Sequence, residues 1–202
     1  MKYLVFDTET GGLNSENDAL ISIGAILLDD DLQVVNTVYT LLKNEENKNI
    51  GEIALEVNGL SESLFKNAIS PKHFQILWNW YLIPQADIII GHNIAFDIGF
   101  MEANGFHTIT KTLDTMHLSW DVWRKEKAKL GLVYERIGKE VENAHNALYD
   151  CEMVVDVLKW MVTNEFLSLP LPSYPLIKDY HANKAFGYKE MKAKGLLDKK
   201  ED

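Results

Sequence analysis

The first 42 residues alternate apolar runs with short polar segments, a pattern typical of β-strands. Residues 3–7 form a short apolar run, residues 19–28 form a longer run rich in Ile and Leu, and residues 32–42 are β-branched and aromatic. The acidic residues 29–31 between the last two runs predict a turn. We therefore predict three strands, of which the second and third form an antiparallel hairpin.

Helical spacing of apolar residues begins after Ser70 and Pro71, which are typical of a helix N-terminus. Apolar side chains then recur at i, i+3, i+4 and i+7, which predicts one buried stripe made of Phe74, Leu77, Trp78 and Tyr81. Further strands are predicted at 86–90 and 110–114, and further helices at 94–103, 116–127, 129–137 and along the apolar stripe from Ala147 to Val162. This order indicates an α/β domain, a mixed β-sheet flanked by α-helices.

Three prolines follow closely after Leu169 and predict the end of the regular domain. We therefore predict a domain over residues 1–169 and a C-terminal extension over residues 170–202. The extension mixes lysines with aromatic residues, a pattern that suits either contact with a single strand or a packed arm: Tyr174, Tyr180, Phe186 and Tyr188.

Composition fits one globular domain, because 202 residues with 47% hydrophobic content can bury a sizeable core. No apolar run reaches the roughly 18 residues of a membrane-spanning helix, and the N-terminus lacks the pattern of a secretory signal. Cys151 is the single cysteine, so an internal disulfide is excluded. We expect a cytoplasmic protein that does not associate with membranes.

The net charge of −10 argues against tight binding to long duplexes. Residues 178–202 hold 7 Lys against 5 acidic residues, which leaves 13 basic against 25 acidic residues in the body. Such a body would still hold a short strand end if metal ions offset its carboxylates. Plain solubility explains the same charge.

Four carboxylates occupy positions where a structural role is hard to assign to all of them. Asp7 and Glu9 are two apart on a predicted strand and share one face. Asp97 lies on the apolar side of its predicted helix, and Asp150 lies at the edge of a core stripe. Singly, each would suit an acidic turn or an anion near a helix N-terminus. Together they suggest an oxygen-ligand site for two Mg²⁺ or Mn²⁺ ions that cleaves phosphodiesters.

His145 is the fifth residue of this set. It precedes Asp150 by five positions, which on a continuous helix would separate the two by about 140° around the axis. His145 can therefore join the carboxylates only from the loop or first turn before the helix. A neutral histidine there would take a proton from attacking water, whereas a structural histidine at a helix start is the alternative.

Three segments resemble the three motifs of the DEDDh branch of the DEDD 3′→5′ exonucleases, the group of the proofreading epsilon subunit of bacterial DNA polymerase III. They are FDTETGGL (6–13), GHNIAFDIGF (91–100) and HNALYD (145–150), the last with the H-x4-D spacing. Two connecting stretches, VNGLSESLF (57–65) and KLGLVYERIG (129–138), are similar as well. The related tyrosine branch would need Tyr at position 146, which is Asn146 here.

The resemblance implies a ribonuclease H-like fold with two metals held by Asp7, Glu9, Asp97 and Asp150. It also implies His145 as general base and Glu9 as a residue that orients the water. For the nucleotide pocket it implies Thr10, Leu13, Asn93 and Phe96, although Phe96 is equally suited to the core.

We therefore expect a metal-dependent 3′→5′ exonuclease that releases nucleoside 5′-monophosphates from single-stranded DNA ends. The alternatives are an exoribonuclease on short RNA and a catalytically silent module that binds nucleic acid or a polymerase. Residues 166–171 (FLSLPL) resemble the sliding-clamp-binding hexapeptide, except that Phe166 replaces glutamine. A polymerase or a sliding clamp is therefore a candidate partner, and a helix-ending apolar connection is the alternative for this segment.

Overall fold

The computed structural model describes residues 1–51, 64–124, 126–142 and 145–175. Within these residues, the chain builds one six-stranded mixed sheet with helices on both faces. The strands are β1 (Tyr3–Thr10), β2 (Leu20–Leu28), β3 (Val34–Leu41), β4 (Ile88–Gly91), β5 (Lys111–Asp114) and β6 (Tyr174–Pro175). The α-helices are α1 (Pro71–Leu77), α2 (Ile94–Ala103), α3 (Thr115–Val122), α4 (Leu130–Arg136) and α5 (Ala147–Thr163).

The sheet order is β3-β2-β1-β4-β5-β6. β2 and β3 form the predicted antiparallel hairpin, and β2 also pairs antiparallel with β1. β4 lies parallel to β1 on the other side, and β5 lies parallel to β4. The carboxyl ends of β1, β4 and β5 therefore meet at one edge of the sheet. The α/β prediction is confirmed.

Side-chain alternation along β1 divides the core into two layers. Tyr3 and Val5 face the layer that holds α3, α4 and α5, whereas Leu4 and Phe6 face the layer that holds α2. Because successive residues of a strand point to opposite faces, Asp7 continues the first series toward α5.

The helix that starts at Pro71 is confirmed, but its predicted buried stripe is only half correct. Phe74 and Trp78 are buried, whereas Leu77 is 40% exposed and Tyr81 is 52% exposed. After Leu77 the helix widens into a π-helical turn at Trp78–Leu82. The wider turn changes the angular spacing of the side chains, so Leu82 is buried in place of Tyr81.

The structure differs from two predicted boundaries, the end of a helix and the end of the domain. α3 stops at Val122 rather than at residue 127, and Arg124 beyond it has a positive φ of 50°. The chain also stays on the domain after Leu169: the Leu171 N–H donates to the Tyr3 hydroxyl (3.0 Å), and β6 pairs antiparallel with β5. Leu171 is buried. Tyr174 and Pro175 thus form the last strand of the sheet, next to β5.

Some expectations lie outside the described residues. They are the residues 57–63 of the VNGLSESLF segment and the aromatic and lysine-rich part of the extension from residue 176 onward. In the described part of the chain, helices are too short or too polar to cross a membrane.

Candidate active site

Three side chains lie close together although the first is far from the other two in sequence: Glu9, His145 and Asp150. One ligand atom of each lies within 4.8 Å of those of the other two. Glu9 stands near the carboxyl end of β1, and Asp150 stands in the first turn of α5. The packing of α5 against β1 and β2 brings these elements together.

Asp97 reaches the same edge from the opposite side of the sheet. It is the fourth residue of α2, which begins directly after the carboxyl end of β4. Its Oδ1 accepts hydrogen bonds from the Thr8 backbone N–H (2.9 Å) and from the Thr8 hydroxyl (2.7 Å). Thr8 lies between Asp7 and Glu9, so these bonds tie α2 to the carboxylate pair on β1.

Asp7 lies within electrostatic reach of all three other carboxylates. Burial raises the pKa of its carboxyl, and the charges of Asp97, Asp150 and Glu9 raise that pKa further. The structure therefore gathers the four carboxylates that the sequence singles out into one cluster. It does so with four side chains that repel one another when ionised.

Burial also raises the pKa of each of the other three acids. Burial, followed by the charges of Asp150 and Asp97, raises the pKa of Glu9 to about 8. Burial raises the pKa of Asp97 to about 7 against the opposing effect of the Thr8 hydrogen bonds, and burial raises that of Asp150 to about 6. Ionised carboxylates in such a cluster need a cation to offset their charge.

The residues present fit a divalent metal. Asp150 Oδ1 is buried and has no hydrogen-bond partner within the described part of the chain. An unpartnered buried oxygen beside other carboxylates suits a metal ligand, and a donor set made of carboxylate oxygens suits Mg²⁺ or Mn²⁺. Metal binding by Asp7, Glu9, Asp97 and Asp150 remains a prediction.

His145 lies outside the helix, as its spacing from Asp150 requires. It has a positive φ of 68° in the turn before α5, and Asn146 is the helix N-cap. The Asn146 side chain accepts hydrogen bonds from the N–H groups of Leu148 and Tyr149, both at 3.2 Å. The helix begins after this cap, and His145 before it is exposed beside Glu9 and Asp150.

The four residues implied for the nucleotide pocket occupy different environments. Leu13 is 88% exposed, which leaves its side chain free for contact with a base. The Thr10 hydroxyl donates to the Gly12 carbonyl (2.7 Å) and shapes that loop. Asn93 precedes α2 with a φ of 70°, and Phe96 packs on Phe100 with ring centroids 5.0 Å apart. Their contact with substrate remains a prediction.

Gly24 is a positioning feature that the sequence interpretation missed. A Cβ at this position would lie 2.4 Å from the backbone carbonyl carbon of Ala147, so glycine lets the N-terminus of α5 approach β2. The Cys151 thiol donates to the Gly24 carbonyl at 3.3 Å from the next turn of α5. A glycine inside an otherwise apolar strand is the signal that would have indicated this close approach.

Comparison with known proteins identifies the class as nucleases. The family model RNase_T, described as Exonuclease, matches residues 4–158. The chain therefore belongs to this exonuclease family, and the resemblance to the DEDDh exonucleases is confirmed.

Two relatives differ greatly in size. The chain is 29% identical over 169 residues to a PolC-type DNA polymerase III of Clostridium perfringens, an alignment that covers 79% of this chain and 11% of the polymerase. It is 29% identical over 202 residues to a Ribonuclease T of Vibrio vulnificus, which covers 87% of this chain and 89% of that protein. The chain thus corresponds to a small part of the first relative and to most of the second.

A solved structure shows the same fold. Exonuclease I of E. coli in a zinc-bound complex with single-stranded DNA superposes with a TM-score of 0.69 at 18% identity. The match covers 81% of this chain and 41% of that one. The ribonuclease H-like prediction is confirmed.

Proposed function

We propose that the chain is a 3′→5′ exonuclease that removes nucleoside 5′-monophosphates from the 3′ ends of single-stranded DNA with two divalent ions. One observation carries this proposal: Asp7, Glu9, Asp97 and Asp150 meet His145 at one edge of the sheet. Membership in the exonuclease family supports it.

In this proposal the four carboxylates hold two Mg²⁺ or Mn²⁺ ions. Bound divalent ions activate water and offset charge on the reacting phosphate and the leaving 3′ oxygen. The protein supplies the ionised oxygens, and their raised pKa values mean that cation binding must displace protons at neutral pH.

His145 acts as the general base in this mechanism. Its position outside α5 gives the ring access to solvent and to Glu9 and Asp150. A neutral ring nitrogen accepts the proton of the attacking water, while Glu9 orients that water. The water oxygen bonds to phosphorus as the P–O3′ bond breaks, so the phosphate leaves on the released nucleotide. The 3′ oxygen of the shortened strand takes up a proton and becomes a new 3′ hydroxyl.

Three observations favour a single-stranded end over a duplex. The net charge of −10 gives little attraction for the many phosphates of a long duplex. Leu13, the last residue of the first motif, is exposed, and its apolar side chain would contact an unpaired terminal base. The structure of exonuclease I, which has the same fold, contains single-stranded DNA and supports the same substrate.

RNA is the second candidate substrate. The relative that this chain matches over most of its length is named Ribonuclease T. An exoribonuclease acting on short RNA would use the same five residues, so the carboxylate cluster does not discriminate between the two substrates.

For partners, the DNA polymerase III relative supports a polymerase context. The burial of Leu171 argues against a sliding clamp, because the last leucine of the FLSLPL segment packs in the domain core. Association with a polymerase remains part of the proposal.

Matched DNA and RNA oligonucleotides, single-stranded and duplex, test the proposal when products are mapped with Mg²⁺ and with EDTA. We expect stepwise shortening from the 3′ end of single-stranded DNA, loss of activity in EDTA, and slower cleavage of RNA. Preference for RNA would replace DNA by the second candidate. Activity that survives EDTA would overturn the metal mechanism.

A further inference from the structure

Asp114 forms a hydrogen-bonded junction between two helices at the active-site edge. It ends β5, directly beside Gly91 at the end of β4. Its Oδ1 accepts from the N–H groups of Asn93 and Met116, both at 2.9 Å, and its Oδ2 accepts from the N–H of Ile94 at 3.2 Å. The side chain is 10% exposed. The carboxylate therefore caps α2 and α3 at the same time.

Helix α2 depends on this outside cap. The first N–H groups of a helix have no acceptor within the helix, and they are normally served by the side chain of the preceding residue. Here that residue is Asn93, whose left-handed φ of 70° leaves its side chain without a capping hydrogen bond. Asp114 supplies the missing acceptor from the neighbouring strand, and its charge suits the positive end of the helix.

Thr115, the residue after Asp114, contacts the turn between β4 and α2. The Thr115 hydroxyl lies 3.0 Å from the Gly91 carbonyl oxygen and 2.9 Å from His92 Nδ1. His92 Nε2 in turn lies 2.5 Å from the Ala128 carbonyl oxygen. The backbone from Gly91 to Ile94 is thus held at both ends by the junction of β5 and α3.

This turn sets the position of Asp97. Asp97 is the fourth residue of α2, one helical turn beyond the capped N–H groups, and its carboxylate is held at the far end by Thr8. A shift of the α2 N-terminus would therefore move the Asp97 carboxylate relative to Asp7 and Glu9 on β1.

We propose that Asp114 is a positioning residue that holds the N-terminus of α2 so that Asp97 stays in register with the metal-binding carboxylates of β1. This inference rests on the proposed function, since it assigns Asp97 to a metal site. Hydrogen-bonded groups behind metal ligands typically contribute about 10- to 100-fold in metal affinity or activity.

The test compares Asp114→Ala and Asp114→Asn with the wild type in Mn²⁺ affinity by calorimetry, and in kcat and KM on a single-stranded DNA oligonucleotide. We expect Asp114→Ala to weaken Mn²⁺ binding and to lower kcat by about 10- to 100-fold, with KM nearly unchanged. Asp114→Asn should lose less, because its single amide oxygen can still accept from Asn93 and Met116.

Asp29→Ala is the matched control. Asp29 Oδ1 also accepts two backbone N–H groups, from Asp31 (3.0 Å) and Gln33 (2.8 Å), at the opposite end of the sheet. Its removal should lower thermal stability while leaving Mn²⁺ affinity and kcat unchanged. If Asp114→Ala does not fold, Asp114→Asn carries the comparison.

Wild-type Mn²⁺ affinity and kcat in a folded Asp114→Ala or Asp114→Asn protein would overturn the inference. Additive losses in a double mutant with Asp97→Asn would also overturn it, because a residue that acts through Asp97 adds nothing once that carboxylate is gone. The proposed function fails separately, in the wild type, if that protein neither binds Mn²⁺ nor shortens a 3′ end.

Discussion

The Thr8 hydroxyl donates to Asp97 Oδ1 at 2.7 Å, and the Thr8 backbone N–H donates to the same oxygen at 2.9 Å. Thr8 thereby holds a carboxylate of α2 against the strand that carries Asp7 and Glu9. Both hydrogen bonds lower the pKa of Asp97, in opposition to the burial that raises it to about 7. Thr8 thus favours the ionised form that a metal site requires.

Thr8→Val should keep the shape of the side chain and remove one of these two bonds. We expect the acidic limb of the pH–rate profile to move to higher pH and kcat to fall by about 10-fold. The matched control is Thr40→Val on β3, where the hydroxyl donates to the neighbouring Leu41 carbonyl (3.2 Å). Equal pH–rate profiles for Thr8→Val and the wild type would contradict this role.

The carboxylate cluster should make the metal-free protein less stable as pH rises. The folded-state pKa values of Glu9, Asp97 and Asp150 are raised to about 8, 7 and 6, so the folded state binds more protons than the unfolded state above about pH 4. The contribution of these three acids to the free energy of unfolding is therefore fully present below about pH 4 and is lost as pH rises toward 8.

Denaturant unfolding in EDTA from pH 4 to 9 checks this expectation. Saturating Mg²⁺ should remove most of the loss, because the cation stabilises the ionised carboxylates. A free energy of unfolding in EDTA that rises between pH 5 and 8 would contradict the expected repulsion between the ionised carboxylates.

His145→Ala should remove the general base while leaving the fold intact. We expect kcat to fall by about 100-fold or more near neutral pH, the range typical of general acid–base catalysis. The midpoint of thermal unfolding should change little, because the side chain is exposed. An unchanged pH–rate profile in this variant would exclude His145 as the base.

Gly24→Ala should displace the N-terminus of α5. The added Cβ would meet the Ala147 backbone at 2.4 Å, and backbone atoms cannot rotate away as a side chain can. We expect a loss of about 1–3 kcal/mol in the free energy of unfolding together with reduced activity, because His145 and Asp150 move with α5.

Gly99→Ala provides the control for this substitution. Gly99 lies within α2, and a Cβ there meets nothing within 4 Å. Alanine at this helical position should raise the free energy of unfolding by up to about 1 kcal/mol. Equal stability of the Gly24 and Gly99 variants would contradict the close approach of α5 to β2.

Local patterns were sufficient for much of the fold. The β2–β3 hairpin, the helix start at Pro71 and the position of His145 before α5 all follow from spacing within short segments. The exposure of Tyr81 did not follow, because a π-helical turn at Trp78–Leu82 changes the side-chain spacing without a clear mark in composition.

The parts of the site that sequence reasoning missed depend on contacts between distant segments. Asp114 serves the N–H groups of Asn93 and Ile94, about 20 positions away, and Gly24 admits a helix that begins at residue 147. Periodicity describes one element at a time, so it indicates which side chains face the core but not which elements meet there.

A cleavage assay on a 5′-labelled single-stranded DNA oligonucleotide compares the wild type with Asp7→Ala and Asp97→Ala, with Mg²⁺ and with EDTA. The wild type should produce a ladder that shortens from the 3′ end, and only with Mg²⁺. Both variants should remain folded by circular dichroism and leave the substrate intact. Full activity in either folded variant would contradict the assignment of these carboxylates to the catalytic metal site.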